Sequence, residues 1–200
     1  RAIDREVSCS LHMTHMGCSS KPEALVKQSI RAGLSDGWGG SMMGTEFSDV
    51  LFGTPKPVET EANLGVMVEE NVNIVVHGHD PSLSEMICEV ADSPEMIAYA
   101  KEMGAKGITI SGVCCTSNEV AMRRGIPMAG NFLQQENVVL TGACEAIVVD
   151  VQCIFPALGP LSKCFHTKFI TTSPIAQMPD SEFIRFDAHS ALEKATQIVK

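Results

Sequence analysis

The sequence predicts an α/β fold, a Rossmann-like doubly wound parallel sheet preceded by a short, mostly helical segment. Two observations carry this prediction: apolar runs rich in β-branched residues, and helical patterns between them. Runs that are apolar throughout are typical of strands buried on both faces, and intervening helices imply parallel pairing. The predicted strands are Val72–His77, Gly107–Val113, Ala146–Val151 and Lys168–Thr172.

The segments between and after these strands carry helix signals. Proline in a first turn, glycine after a last turn and capping residues mark where such helices begin and end. Helices are expected from Pro81 to near Gly104 (as one helix or as two broken at Pro94), from Ser117, over Gln134–Leu140 and over Ala188–Val199.

The beginning of the chain has a different pattern, of short helices and Gly-rich turns. An amphipathic helix is predicted over Lys21–Ala32, and the Gly-rich stretch Ser35–Gly44 is predicted to be a loop. The segment Thr54–Pro57 is an extended, helix-breaking connector. We therefore predict two regions: residues 1–57, which are helical with a Gly-rich loop and a linker, and residues 58–200, the Rossmann-like domain.

Composition excludes several functional classes. The 200 residues include 24 acidic and 15 basic side chains, for a net charge of −9, and only 5% are aromatic. This balance argues against nucleic-acid and anionic-membrane partners, which need a basic face or stacking platforms. No apolar run is long enough to span a bilayer. The chain begins at Arg1 without a signal peptide, and we expect it to be an internal segment of a longer protein.

The eight cysteines point to metal chemistry or to a reduced core. A disulfide scaffold would be shorter and secreted, so we expect a cytoplasmic protein whose cysteines are buried or bind metal. No C-x-x-C pair occurs, so a metal site must combine distant segments. We expect buried structural roles for Cys88, Cys144 and Cys164, and the remaining cysteines are Cys9, Cys18, Cys114, Cys115 and Cys153.

Three residues with metal-binding side chains follow three predicted strands. They are His79, Cys115 and Cys153. The carboxyl ends of parallel strands open onto one edge of a sheet, so these side chains are expected to converge there. Taken singly, each would more often be structural, and their parallel placement is what favours a site. Position alone leaves zinc, iron–sulfur and nickel open.

Local chemistry supports two of these assignments. The pattern Thr116-x-x-Glu119 is a capping box, which predicts that the Cys115 thiol lies at a helix N-terminus, where the thiolate is favoured. His77 and His79 alternate across an extended segment, so only one of them faces the edge, and we assign His79.

Long motifs in the chain resemble the catalytic subunit of nickel-dependent, anaerobic carbon monoxide dehydrogenases. The resemblance runs in order across essentially the whole chain, and its motifs are far more specific than a lone Gly-rich pattern. The matching stretches are DGWGGSMMGTEFSDVLFGTP (Asp36–Pro55), EANLGV (Glu61–Val66), NIVVHGHDPSLSEMI (Asn73–Ile87), GITISGVCCTSNEVAMRRGIP (Gly107–Pro127) and VDVQCIFPAL (Val149–Leu158).

The resemblance implies a role for each of four residues. His79 and Cys115 would ligate the iron outside the frame of a nickel–iron–sulfur cluster, and Cys153 would ligate an iron of the frame. Asp36 would assist proton removal near the cluster. The family's fold implies that residues 1–57 end a helical domain and that residues 58–200 carry cluster ligands.

The resemblance also implies an activity and partners. The expected reaction is the reversible oxidation of CO with water to CO2, two protons and two electrons. A ferredoxin-like electron acceptor, a homodimer and association with an acetyl-CoA synthase subunit are further implications.

This chain lacks parts that the family needs. Three further cluster cysteines, a catalytic lysine and the cysteines of additional 4Fe–4S clusters belong to segments outside it, so the isolated segment is expected to be inactive. The alternatives are a hybrid-cluster protein resembling hydroxylamine reductase, a catalytically empty Rossmann-like module, and a zinc site without a cluster.

Overall fold

A computed structural model describes residues 2–200, and the chain divides into two compact units, Arg1–Thr54 and Pro55–Lys200. The first unit is helical. Its elements are α1 (Ala2–Met13), α2 (Pro22–Asp36), a π-helical stretch (Gly37–Met43) and α3 (Gly44–Phe52).

A buried carboxylate joins α1 to α2. Glu6 accepts hydrogen bonds from Arg31 Nη2 at 2.6 Å and from Gln28 Nε2 at 3.1 Å. The hydrogen bond from Arg31, followed by that from Gln28, lowers the pKa of Glu6 to about 2. The carboxylate is therefore ionised across the neutral pH range, where its ion pair with Arg31 links the two helices.

The predicted loop over Ser35–Gly44 is wrong, because this stretch is helical. Helix α2 continues to Asp36, and the π-helical stretch leads directly into α3. Glycine fits here for a packing reason: a Cβ on Gly39 would lie 2.0 Å from Cδ1 of Ile3 in α1. Gly39 thus permits close approach of the Ile3 side chain of α1, which a composition-based loop prediction does not consider.

The second unit is a six-stranded parallel sheet with helices. Its strands are β1 (Val72–His77), β2 (Ile108–Val113), β3 (Met128–Gly130), β4 (Ala146–Val149), β5 (Lys168–Thr171) and β6 (Glu182–Phe183). Their order is β3-β2-β1-β4-β5-β6, and each neighbouring pair is parallel. This is the strand order of doubly wound Rossmann sheets, and the predicted fold class is confirmed.

Helices complete this unit. They are α4 (Pro81–Ala91), α5 (Pro94–Glu102), α6 (Cys114–Arg124), α7 (Gln135–Leu140), α8 (Leu158–Ser162) and α9 (Ala191–Val199), with 3₁₀ turns at Leu64–Val66, Phe132–Gln134 and Ala188–Ser190. The segment from Pro81 to near Gly104 forms two helices broken at Pro94, which is the second of the two predicted alternatives. The strands β3 and β6 were not predicted, because three and two residues are too short for a pattern.

The core lies on both faces of the sheet. Along β1, Ile74 and Val76 pack into one apolar cluster with α4, α5, α6 and α9. Val75, between them, packs into a second cluster with α7 and α8. Successive side chains of a strand point to opposite faces, so both faces are covered. No helix among residues 2–200 is long and apolar enough to cross a membrane.

An ion pair with one buried partner connects α4 to α6. Arg124 Nε donates to Glu85 Oε2 at 2.6 Å, and the Glu85 side chain is only 3% exposed. By contrast, the pair between Lys106 and Glu70, at 3.1 Å, has both side chains more than half exposed.

We expect Arg124→Met to lower the free energy of unfolding by about 3 kcal/mol, because it leaves a buried carboxylate uncompensated. Lys106→Met is the matched control and should change it by less than about 1 kcal/mol. Urea unfolding followed by circular dichroism measures both. Equal midpoints for the two variants would contradict the expected difference.

Candidate metal centre

Three potential ligands meet at the carboxyl edge of the sheet. Strands β2, β1 and β4 are neighbours in the sheet. Just beyond their ends lie Cys114, His79 and Cys153, respectively. One ligand atom from each residue lies within 4.8 Å of the other two. Two ligand atoms of one ion lie at most about 4.6 Å apart when each bond is about 2.3 Å, so the three atoms are close to the spacing that metal binding requires.

Cys115 is not a member of this group. The structure brings together His79 and Cys153, as the strand pattern predicts, and adds Cys114 from the neighbouring position. Cys115 is exposed in the first turn of α6. A cluster of several metal ions spreads its ligands more widely than a single ion does, so the assignment of Cys115 stays a prediction.

The start of α6 differs from the expected capping box. The helix begins at Cys114, so Thr116 lies within it and does not cap it. The Thr116 hydroxyl instead donates to Ser84 Oγ of α4 at 2.7 Å, in the interior. Cys114 has a φ of 69°, in the left-handed region that non-glycine residues rarely adopt. A helix N-terminus does lie at this edge, but α6 begins at Cys114, three residues before the predicted start at Ser117.

The ring of His79 has a defined orientation. Its Nδ1 lies 2.9 Å from the carbonyl oxygen of Val151. A carbonyl oxygen only accepts hydrogen bonds, so Nδ1 carries the proton and donates it. This tautomer leaves Nε2 unprotonated, as a metal ligand requires.

A buried aspartate holds the backbone beneath His79. Asp150, at the end of β4, accepts hydrogen bonds from the N–H groups of His79 at 2.6 Å and of Asp80 at 3.0 Å, and also from Val151 N–H. Burial raises the pKa of Asp150, and these backbone donors oppose that shift. Sequence reasoning missed this residue, although an acid within the apolar run AIVVDV was a visible signal.

The Asp150 carboxylate leaves no room for a side chain at position 78, which is occupied by Gly78. Its φ is 133°, and a Cβ on it would lie 2.1 Å from Asp150 Oδ1. Any side chain at this position would therefore displace the carboxylate that binds the His79 backbone.

Burial raises the pKa of the Cys114 thiol to about 12, and the neighbouring Cys115 and Cys153 thiols add to this shift. Burial therefore favours the neutral form of the Cys114 thiol. Metal binding would reverse this preference, because a coordinated thiol is deprotonated.

The other cysteines are divided between the core and the surface. Cys88 and Cys144 are fully buried, and burial raises the pKa of each to about 12. Their predicted burial is confirmed. Cys164 is exposed, so its predicted burial is wrong. It lies just beyond the short helix α8, where its neighbours do not cover it.

The predicted acid Asp36 belongs to the first unit. It is the last residue of α2, directly before the π-helical stretch, and it is exposed. Such stretches often occur at functional sites.

Fold and site together define a doubly wound α/β protein with a group of two thiols and one imidazole that could hold a metal ion. The chain belongs to the prismane/CO dehydrogenase family, whose sequence model matches residues 1–200.

Relatives in this family are named as carbon monoxide dehydrogenases. The chain is 52% identical over 200 residues to carbon monoxide dehydrogenase 1 of Methanosarcina mazei, covering 100% of this chain and 32% of that protein. It is 44% identical over 198 residues to the carbon monoxide dehydrogenase/acetyl-CoA synthase subunit beta of Moorella thermoacetica, covering 99% and 29%. The chain thus spans about a third of the length of these relatives.

Solved structures agree in fold. A nickel-free carbon monoxide dehydrogenase from Thermococcus sp. AM4 superposes with a TM-score of 0.96 at 55% identity, covering 100% of this chain and 32% of that one. An acetyl-CoA synthase/carbon monoxide dehydrogenase, described with NiZn[Fe4S4] and NiNi[Fe4S4] clusters in its alpha subunits, superposes at 0.93 and 45% identity, covering 98% and 28%.

We expect Gly78→Ala to destabilise the protein by about 3 kcal/mol or more, because it combines a forbidden backbone angle with a clash against Asp150. Gly125→Ala is the matched control: Gly125 also has a positive φ, 71°, but a Cβ there meets no atom within 4 Å. Its cost should be about 1 to 2 kcal/mol. Thermal unfolding compares them, and a smaller effect at Gly78 than at Gly125 would refute the clash.

Buried and exposed thiols should differ sharply in reactivity. At pH 8 a thiol with a pKa of about 12 is ionised to about 1 part in 10⁴, so Cys88 and Cys144 should resist iodoacetamide while Cys164 reacts. Burial raises the pKa of both thiols from 9.0 to about 12, so the folded state favours their neutral forms. The free energy of unfolding should therefore fall as the pH rises from 9 towards 12. Peptide mass spectrometry, with and without urea, makes the measurement. Modification of Cys88 at the rate of Cys164 would contradict it.

Proposed function

We propose that this chain is a segment of an anaerobic nickel–iron–sulfur carbon monoxide dehydrogenase. The reaction is the reversible oxidation of CO with water to CO2, two protons and two electrons. The observation that carries the proposal is the convergence of His79, Cys114 and Cys153 at the carboxyl edge of the sheet. Relatives that are about half identical over the whole chain bear this enzyme's name, which supports it.

The residues at this edge fit a nickel–iron–sulfur cluster. Thiolate and neutral imidazole are ligands that suit iron–sulfur clusters and nickel. His79 presents Nε2, and the sulfur atoms come from the Cys114–Cys115 pair and from Cys153. We propose His79, Cys115 and Cys153 as ligands, since the motif resemblance selects the second cysteine of the pair. When bound, such a cluster supplies the site for CO and the path for two electrons.

The protein's own groups hold these ligands and move the proton. Asp150 fixes the backbone of His79, and the Val151 carbonyl fixes its ring. We assign Asp36 to the shell of groups that accept protons released by the reaction. Residues 1–57 would then end a helical domain, and residues 58–200 would form the Rossmann-like domain that carries cluster ligands.

Two alternatives have less support. The relatives' names favour carbon monoxide dehydrogenase over a hybrid-cluster protein. A catalytically empty module has no need to bring an oriented imidazole and two thiols within 4.8 Å of one another.

The whole protein would work with partners and further clusters. The Moorella relative's name supports association with an acetyl-CoA synthase subunit. We also propose a homodimer, a ferredoxin-like electron acceptor and additional 4Fe–4S clusters in segments outside this chain. The eight free cysteines fit a reduced, cytoplasmic setting. The isolated segment holds only part of the ligand set and would be inactive.

Anomalous X-ray scattering tests the site directly. The full-length protein, produced and crystallised without oxygen, should show iron within bonding distance of His79 and Cys115, with nickel nearby. Metal content and CO-dependent reduction of a viologen dye complete the test. Iron without nickel and without CO oxidation would favour the hybrid-cluster alternative, and zinc alone would exclude the cluster.

The cysteine pair can be resolved by two substitutions. Cys115→Ser should lower the iron and nickel content more than Cys114→Ser, by about 10-fold or more, if Cys115 is the ligand. The reverse order would assign the ligand to Cys114, which is the thiol that faces His79 and Cys153. Cys164→Ser, at an exposed position, is the matched control and should leave the metal content unchanged.

Asp36→Asn should lower kcat for CO oxidation by about 100-fold or more while the iron and nickel content stays normal, because a proton acceptor is lost. Glu46→Gln, which neutralises another exposed carboxylate of the first unit, is the control. Steady-state kinetics with metal analysis makes the measurement. Equal rates for the two variants would remove Asp36 from proton transfer.

A further inference from the structure

Gln135 is a buried amide with four hydrogen bonds, and it lies beside the metal centre. It is the first residue of α7 and is 0% exposed. Its carbonyl oxygen accepts from Phe155 N–H at 2.8 Å and from His77 Nε2 at 3.1 Å. Its amino group donates to the carbonyl oxygens of Cys153 at 2.9 Å and of Phe132 at 2.5 Å.

These partners determine which way the amide points. A backbone N–H only donates and a backbone carbonyl only accepts, so Oε1 faces Phe155 and Nε2 faces Cys153. His77 must then donate from Nε2, because Oε1 has no proton to give. Both acceptor positions and both donor protons of Gln135 are used, which is what a fully buried amide requires.

The segment held by this amide is strained. Gln152 and Cys153 have φ values of 64° and 58°, in the left-handed region. Such backbone conformations are unfavourable for non-glycine residues and persist only when the surroundings enforce them. Gln135 binds the carbonyl of Cys153 and the N–H of Phe155, so it holds the chain at and just after the strained cysteine.

The same amide is connected to β1. His77 is the last residue of β1 and lies two residues before His79. Through His77 and Cys153, Gln135 links the loop after β4 to the strand that carries the imidazole ligand.

We propose that Gln135 is a positioning residue of the metal centre, which holds the Cys153 thiol in place relative to His79 before metal binds. The inference rests on the proposed function for the identity of the metal. Groups that orient metal ligands change metal affinity by about 10- to 100-fold when they are removed.

Two variants of the full-length protein test this role. Gln135→Met keeps the length and removes all four hydrogen bonds, and Gln135→Asn keeps an amide that is one carbon too short to reach both Cys153 and Phe155. Val138→Ala is the matched control, since Val138 is fully buried in the same helix and packs in the core. Cys153→Ser gives the level expected when the ligand itself is lost.

We expect both Gln135 variants to hold at least about 10-fold less iron and nickel than the wild type, close to the level of Cys153→Ser. Amide exchange at Phe155 should accelerate in both variants and remain slow in Val138→Ala, because only the former lose the acceptor. The electron paramagnetic resonance signal of the cluster should weaken or shift in the Gln135 variants alone. If Gln135→Met does not fold, Gln135→Asn decides the result.

The inference is overturned if a folded Gln135 variant keeps full metal and an unchanged signal, or if Phe155 exchanges as slowly as in the wild type. It is also overturned if Val138→Ala loses as much metal. Failure of the proposed function looks different: the wild type would lack nickel or CO oxidation, while the Phe155 exchange contrast between the variants and Val138→Ala would remain.

Discussion

The candidate metal centre at the carboxyl edge of the sheet depends on the hydrogen bonds of the buried Asp150 carboxylate. Burial of an ionised carboxylate is costly unless its oxygens are hydrogen-bonded, and here three backbone N–H groups supply those bonds. His79 and Asp80 belong to the turn after β1, and Val151 follows β4, so the carboxylate connects these two segments. The need for a glycine at Gly78 and the ring orientation of His79 follow from this arrangement.

A rigid sheet carries residues in strained conformations at this edge. Cys114, Gln152 and Cys153 are non-glycine residues with positive φ, and two of them present thiols to the centre. Strain of this kind persists where neighbouring bonds enforce it. The two apolar clusters hold the strands from both faces, and the polar contacts of Asp150 and Gln135 hold the loops that extend beyond them.

Much of the fold could be predicted, and the errors have identifiable causes. Strand β1 has the predicted bounds, because VNIVVH is apolar enough to be buried on both faces. Strand β6 could not be predicted from two residues, one of them charged. The π-helical stretch Gly37–Met43 is helical despite three glycines of low helix propensity, and one of them, Gly39, lies where a Cβ would meet Ile3 of α1.

By itself, the sequence determined four of the six strands, the placement of His79 and Cys153 after two of them, and the motifs that indicate the family. Tertiary structure decided which thiol of the Cys114–Cys115 pair faces those residues, because a helix that starts three residues earlier changes where each side chain points. It also decided the role of Asp150, whose bond to His79 spans 71 positions of the chain. Such a contact exists only once β1 and β4 are neighbours, so no local pattern encodes it.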